Sequence, residues 1–308
     1  MMRIAITGSN GFIGSELRTQ LLAREDTVFQ LIRQDAATPT RRKTDVLWSP
    51  SQDRVETDKL QDLDAFVHLA GQNIASGRWT DARKKLILES RTRGTDLIAR
   101  TLASLPRKPR VLISASAVGF YGDRGDEVLT ESSPPGRGFL PDVCRQWEAA
   151  TAPAEQAGIR VVHLRIGAAL SPAGGIIRKV LPLFRKGLGG KLGRGNQYLS
   201  WISLPDLIAA IIHCIENDSL RGPVNATAEN PVTNLEFTRT LGRILARPTL
   251  FPAPAFALRL ALGQFADAVL LASARAVPQK LSDSPFNFKH DQLDSALRAV
   301  LPPAIVRG

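Results

Sequence analysis

Arg3-Ile4-Ala5-Ile6-Thr7-Gly8-Ser9-Asn10-Gly11-Phe12-Ile13-Gly14 is the stretch on which the fold turns. Its first half, Arg3 to Thr7, reads as a buried strand. Its second half opens a helix from Gly11 to Arg24 that carries Phe12, Ile13, Leu17, Leu21 and Leu22 on one side. A glycine-rich turn that follows a strand and starts a helix is the setting a dinucleotide fingerprint requires. Gly8 permits the tight turn, Gly11 lets the backbone approach a pyrophosphate, and Gly14 lets the helix pack on the strand. The helix N-terminus then holds the negative charge.

The same alternation continues outward. Strands are predicted at Thr27 to Arg33, Asp64 to Ala70, Arg110 to Ser114 and Arg160 to Arg165. A long helix from Trp79 to Leu105 ends at Pro106, and another lies around Leu140 to Ala157. Strands alternating with helices predict an α/β fold, a Rossmann-type doubly wound parallel sheet with right-handed connections. After residue 168 the pattern loosens. Residues 171–198 are rich in glycine, Trp201 to Ser203 looks like a strand, and Leu204 to Glu216 like a helix. From Asn230 on, helical segments (Glu236 to Ala246, Ala255 to Leu262, Leu293 to Leu301) are punctuated by prolines. The division predicted is a dinucleotide-binding domain of residues 1–168 plus 196–228. Residues 169–195 plus 229–308 then form a smaller, mostly helical C-terminal lobe for the substrate.

Composition narrows the function classes. With 308 residues, 44% hydrophobic and 22% charged, the chain is globular rather than disordered or collagen-like. Two cysteines, Cys144 and Cys214, and four scattered histidines exclude a disulfide framework and give no metal-ligand spacing, so no metal is expected. No run of 18 apolar residues occurs and the N-terminal apolar run is too short for a signal peptide, so the expectation is a soluble, cytoplasmic protein with no membrane partner. The net charge of +11 points to an anionic partner. Aromatics at 6% and no recognised binding module argue against nucleic acid. Residues 156–205 hold eight basic side chains (Arg160, Arg165, Arg178, Lys179, Arg185, Lys186, Lys191, Arg194) and no acidic one, so much of the excess charge arises there.

With Thr7-Gly8…Gly14, His68-Leu69-Ala70-Gly71, Ser114-Ala115-Ser116-Ala117 followed by Tyr121-Gly122-Asp123, Leu164-Arg165 and Asp206-Leu207 in place, the chain resembles the extended short-chain dehydrogenase/reductases of the nucleotide-sugar epimerase group. Val143-Cys-Arg-Gln-Trp-Glu148 and Ser200-Trp-Ile202 are similar to the atypical "epimerase family protein" subgroup, members of which have sometimes been labelled cell-division inhibitors. The resemblance implies that Gly8, Ser9, Asn10, Gly11, Phe12, Ile13 and Gly14, with Leu69, Ala70, Gly71, Ser114, Arg165 and Gly167, contact the cofactor. It implies substrate contacts from Asn73, Arg185, Gly189, Gly190, Ser200 and Trp201. It also implies a homodimer through the helices near 79–105 and 140–157. At the end of the second strand, where the family often has Asp, stands Ile32 followed by Arg33, with Arg41, Arg42 and Lys43 beyond. A cation there suits the 2′-phosphate, so NADP (NADPH) is favoured over NAD.

The catalytic positions depart from the family. Ser116 matches its serine, but Tyr-x-x-x-Lys occurs nowhere, because Tyr121 is followed four residues on by Gly125 and Tyr198 by Ile202. Counting back from Glu148, the pair falls on Leu140 and Cys144, and the Asn that many members carry before Gly94-Thr95 is Arg91. The missing lysine would lower the tyrosine pKa for proton transfer. Ser116 and Tyr121 are therefore the catalytic candidates. Two readings stay open: an NADP-dependent oxidoreductase or epimerase acting on an anionic, nucleotide-sugar-like molecule, and a catalytically weak NADP-binding sensor or regulator.

Overall fold

The computed structural model describes residues 1–33 and 42–301. Strand β1 (Arg3–Thr7) leads through the glycine turn into helix α1 (Phe12–Ala23). Along β1, Ile4 and Ile6 point to one face of the sheet and Ala5 to the other, and all are fully buried. Both faces are covered, as parallel strands require. Next come β2 (Thr27–Arg33), β3 (Asp45–Ser49), β4 (Arg54–Val55) and β5 (Ala65–His68). Helix α2 (Asp81–Ser104) is capped by Thr80, whose hydroxyl oxygen accepts from Arg83 N. Strand β6 (Val111–Ala117) and the short β7 (Val128–Leu129) precede α3 (Phe139–Ala149) and α4 (Ala152–Gln156). The single helix expected over 140–157 is thus two, broken at Ala150 and Thr151.

Then follow β8 (Arg160–Ile166), β9 (Ala168–Ser171) and α5 (Gly175–Arg185). The next elements are β10 (Tyr198–Leu199), β11 (Trp201–Ser203), α6 (Leu204–Glu216) and β12 (Gly222–Ala226). The chain ends with β13 (Val232–Thr233), α7 (Asn234–Ile244), α8 (Ala255–Leu262), β14 (Arg275–Ala276), α9 (Gln279–Ser282) and α10 (Leu293–Val300). The eight-stranded sheet runs β12-β8-β6-β5-β1-β2-β3-β4 and is parallel except for the β3–β4 pair. The chain moves outward from β1 in one direction and then from β5 in the other. The C-terminal ends of β1 and β5 therefore flank the switch point where ligands bind in such sheets.

Two cores sandwich this sheet. One joins Ile4, Ile6, Val67 and Ile113 to Leu17 of α1 and Ile211 of α6; the other joins Ala5, Phe66 and Leu112 to Leu97 and Leu102 of α2. A third core gathers Ile177, Phe184, Trp201, Phe237, Leu241 and Leu297. The C-terminal part is not purely helical, since β9 pairs with β11, β10 with β13 and β14 with β7 outside the main sheet. Trp201 to Ser203 pairs with β9 rather than rejoining the central sheet. Among the described residues, no helix is long and apolar enough to cross a membrane.

Asp206 ties the last segment to the sheet. Fully buried in the first turn of α6, it accepts from Lys289 N at 2.9 Å, from His290 N at 3.0 Å and from Ser203 Oγ at 2.8 Å. Hydrogen bonds to a charged acceptor each contribute about 1.5–3 kcal/mol. Asp206→Ala should therefore lower unfolding stability by about 3 kcal/mol, read as a reduced urea midpoint with an unchanged m-value. A midpoint equal to wild type would refute this anchoring role.

Candidate active site

The turn after β1 is built so that a side chain has no room. Gly8 sits at φ +69°, and a Cβ on it would meet Leu69 C at 3.0 Å. A Cβ on Gly14 would stand 2.2 Å from the carbonyl oxygen of Gly8. Gly11 N donates to Gly8 O at 2.9 Å, closing the turn. Helix α1 begins at Gly11 with no side-chain cap, so its first-turn amides are offered to a ligand. This cradle fits a dinucleotide pyrophosphate. Phe12, at its edge, presses its ring on Gly174, where a Cβ would overlap the ring at 2.4 Å. Gly174 brings the entry to α5 against the cradle, and nothing in its local sequence pattern marked it.

Thr7 and His68, paired in register across β1 and β5, hold the two turns together. Thr7 Oγ1 accepts from Leu69 N at 3.1 Å and from Ala70 N at 3.2 Å. Its lone pairs being used, its proton goes to His68 Nδ1, 2.8 Å away. His68 is then neutral with its hydrogen on Nε2, a buried atom without a hydrogen-bond partner, and Trp48 packs edge-on against the ring. Burial pushes the His68 pKa down to about 4.

Arg33 is exposed at the end of β2, beside half-buried Ile32. Arg42 and Lys43 are exposed too, while Arg41 lies outside the described residues. Ser9 is buried, Asn10 and Gly71 are exposed, and Ser114 is buried with its Oγ unpaired.

Deeper along the sheet, Ser116, Arg165 and Asn225 stand in one row of the register. Arg165, 3% exposed, forks onto Glu148, Nε to Oε1 and Nη2 to Oε2, both at 2.9 Å. Ser116 Oγ donates to Glu148 Oε1 at 2.7 Å. Arg165 Nη1 also donates to Tyr121 Oη at 3.0 Å, and its guanidinium lies 3.5 Å above the Phe120 ring centre. Tyr121 Oη donates to Asn225 Oδ1 at 2.7 Å. Two expectations change here. Arg165, expected on the cofactor, is the centre of a buried polar network. Tyr121, expected to move a proton, is fully buried with its hydroxyl held inside that network. Burial raises its pKa, Arg165 only partly opposing, so the phenol is not poised as a base. The uninterrupted Tyr-Gly-Asp motif suggested a site residue because sequence cannot show which way a side chain turns.

Next to this network lies a cavity of about 320 Å³. Ala117, Gly119 and Gly122 border it after β6, Gly167 after β8, and Leu140, Val143, Cys144 and Trp147 from α3. Leu140 and Cys144, the positions left without Tyr and Lys, are thus on its wall. Burial pushes the Cys144 thiol up to about 12, so it is not a thiolate near neutral pH. A single π-helical turn, Ala266–Leu270, closes one side. The cavity also takes in Gln197, Asn234 and Tyr198, and Arg91 is its one charged lining residue among those described. Tyr198, rather than Tyr121, is the phenol on the wall. Gln197 and Asn234 carry no motif, which is why the pattern of the chain did not single them out.

Several predicted substrate contacts are elsewhere. Trp201 is fully buried in the third core, its Nε1 donating to Asn230 O. Gly189 and Gly190 do not border the cavity. A Cβ on Gly189 would strike the Phe184 ring at 2.7 Å, and one on Gly190 the Phe251 carbonyl oxygen at 1.9 Å, so both are glycine for packing. Arg185 and Asn73 are exposed and off the cavity wall. Ser200 does line it, with its hydroxyl set between the carbonyls of Ala274 and Ala276. The basic run disperses as well. Arg178, Lys179, Arg185, Lys186 and Arg194 face solvent, Arg165 is in the network, and Arg160 donates to the carbonyls of Cys214, Ile215 and Leu220 at the end of α6. Among the described residues no group of three or more His, Cys, Asp or Glu could hold a metal ion.

The NAD-dependent epimerase/dehydratase family profile matches residues 4–226, and a domain of unknown function (DUF1731) matches residues 253–300. An "epimerase family protein" of Mycobacterium bovis is 44% identical over 294 residues, covering 96% of each chain. The chloroplastic SDR39U1 homologue of Arabidopsis thaliana is 35% identical over 97% of this chain and 87% of its own. The crystal structure of human epimerase family protein SDR39U1 with NADPH superposes with a TM-score of 0.88 at 28% identity, covering 97% of this chain and 99% of that one. A nucleoside-diphosphate sugar epimerase from Corynebacterium glutamicum gives 0.79 at 37% identity, over 97% of this chain and 58% of its own.

Two outcomes test this geometry. The folded pKa of His68 lies below its ordinary value near 6.5, so the unfolded chain binds the extra proton. Stability is then intact above pH ~6.5 and falls as the pH drops through about 4, by up to about 3 kcal/mol at ~1.4 kcal/mol per pH unit. His68→Gln should flatten the fall; an unchanged urea-midpoint profile over this range would remove the pin. Arg165→Met should cost about 3–5 kcal/mol by stranding Glu148, and adding Glu148→Met should restore much of it. If the double variant is as unstable as the single, the pair is not the organising contact.

Proposed function

The chain belongs to the NAD-dependent epimerase/dehydratase family, and on that premise we propose an NADP(H)-binding oxidoreductase or epimerase acting on an anionic small molecule. One observation carries the reading: the strand ends that hold the glycine cradle, β1 and β5, adjoin those that border the cavity, β6 and β8. When bound, the nicotinamide group supplies hydride exchange. The chain's own residues do the rest. The first-turn amides of α1 hold the pyrophosphate, and Arg33 pairs with the 2′-phosphate where Ile32 offers no carboxylate to a ribose. The apolar wall of Leu140, Val143 and Trp147 keeps water from the reacting carbon. The NADPH of the human neighbour supports this choice of cofactor, although a UDP-glucuronic acid 4-epimerase neighbour from Bacillus cereus holds NAD. A nucleotide sugar, named for the Corynebacterium protein, belongs to the anionic class. A wall with one charged side chain favours a smaller anion.

A second reading, an NADP-binding sensor with little catalysis, is favoured by Leu140 and Cys144 standing where a phenol and an ammonium would act. Hydride transfer from labelled NADPH across a panel of carbonyl compounds separates the two: transfer to any member supports the enzyme, and tight binding with none supports the sensor.

Cofactor choice is tested directly. NADPH at ~100 times its Kd should stabilise the fold by about 2.7 kcal/mol, and NADH by less at equal concentration. Arg33→Asp should weaken NADPH about tenfold and leave NADH unchanged or improved. Equal thermal shifts for both cofactors, or an indifferent variant, would overturn the role given to Arg33.

A further inference from the structure

The cavity wall holds a cation outside the buried network, its guanidinium packed on Gly71 at the β5 turn, where a Cβ would meet it at 3.4 Å. Arg91 rises from α2 at the position many relatives give to Asn. Its Nη1 donates to Ile87 O and its Nη2 to Gln72 O, both at 3.1 Å. The guanidinium lies 4.9 Å over the Trp147 ring. Two of its five N–H donors are thereby engaged, and each acceptor is a neutral carbonyl. The described residues place no carboxylate within 4 Å of it. The charged or titratable groups that face it are the Cys144 thiol and a second cation, Arg83. Arg91 is half-buried, and that burial lowers its pKa. A guanidinium still does not deprotonate in a protein, so the site keeps an uncompensated positive charge. Burying one is costly unless something pairs with it.

What surrounds this charge states what would pair with it. Leu140, Val143, Trp147, Ile166, Ala268 and Val269 make the cavity predominantly apolar. The exposed basic residues of the 178–194 run are off its wall, so they do not prepare it for a diphosphate. One cation in an apolar cavity matches a ligand with one anionic end and a hydrocarbon body. A planar guanidinium with spare donors matches a carboxylate by paired parallel hydrogen bonds. We infer that Arg91 is the anion-binding residue of the cavity and that the substrate class is an apolar monocarboxylate. The inference deepens the function proposed above and rests on the reading of this cavity as the substrate site.

The experiment is calorimetric binding of octanoate and 3-phenylpropanoate to the full chain saturated with NADP, with octanamide and 3-phenylpropanamide as neutral counterparts. At least one acid should bind about tenfold or more tightly than its amide. Arg91→Met should abolish that difference by weakening the acid alone, and Arg91→Lys should retain part of it. Acid and amide binding alike, neither acid binding, or an Arg91→Met protein with undiminished acid affinity overturns the inference. The acid–amide comparison on wild type needs no variant, so a misfolded Arg91→Met does not decide it. NADP is titrated separately into each protein. Weakened NADP binding in Arg91→Met with acid affinity intact would reassign Arg91 to the cofactor and overturn the inference. Wild type that binds the acid but not NADP would sink the proposed function while leaving Arg91 in place.

Discussion

The contact between Thr7 and His68 fixes the geometry on which the rest depends. At a switch point the connections leaving two neighbouring parallel strands run to opposite sides, so the turns that follow them need a tie. A single hydroxyl takes two backbone N–H groups of the β5 turn and gives its proton to the ring that ends β5. With every polar group of the threonine used, the two turns cannot separate without leaving a buried donor or acceptor unmet, which costs about 1–3 kcal/mol each. Gly8 then sits close enough to Leu69 that no side chain fits between them. The cradle is held open by hydrogen bonding below it rather than by a ligand.

A second constraint is the placement of charge. The net +11 suggested a surface made for polyanions. Its members in the 156–205 run have different jobs: Arg165 satisfies Glu148 and Tyr121, Arg160 satisfies the last carbonyls of α6, and others are solvated. The charge on the cavity wall comes from Arg91, outside that run. Position in the sequence told the sign of the charge but not its address, because basic side chains are long enough to serve carbonyls, carboxylates or water from the same stretch of backbone.

Much of the sheet was legible before any coordinates. Strand β1 carries the apolar run Ile4-Ala5-Ile6, β8 keeps Val161, Val162, Leu164 and Ile166 around His163 and Arg165, and the period of α6 is helical throughout. The β3 strand escaped because Asp45 and Ser49 flank only three apolar residues. Helix α5 escaped because Gly174 before it, Gly175 at its start and Pro182 within it read as loop, though its buried face of Ile177, Leu181 and Phe184 packs well. For the site, the glycine turn was readable because its requirement is steric and local. The cavity was not, since its wall is assembled from α2, α3, the β10 region and a π turn near residue 268, far apart in the chain. Ser116 and Tyr121 match a motif, and their hydroxyls are held by Glu148 and Asn225, which a match of letters does not report.

The ring of Phe12 against Gly174 has a thermodynamic meaning. Phe12 opens α1 beside the glycine turn, and Gly174 stands at the entry to α5, whose Ile177, Leu181 and Phe184 belong to the third core. The start of α1 and the entry to α5 thus abut with no room for a side chain between them. A dinucleotide in the cradle and a ligand in the cavity that each favoured one setting of this contact would share a single linked equilibrium. Linkage is reciprocal: whatever factor the dinucleotide applies to affinity in the cavity, a ligand in the cavity applies to the dinucleotide.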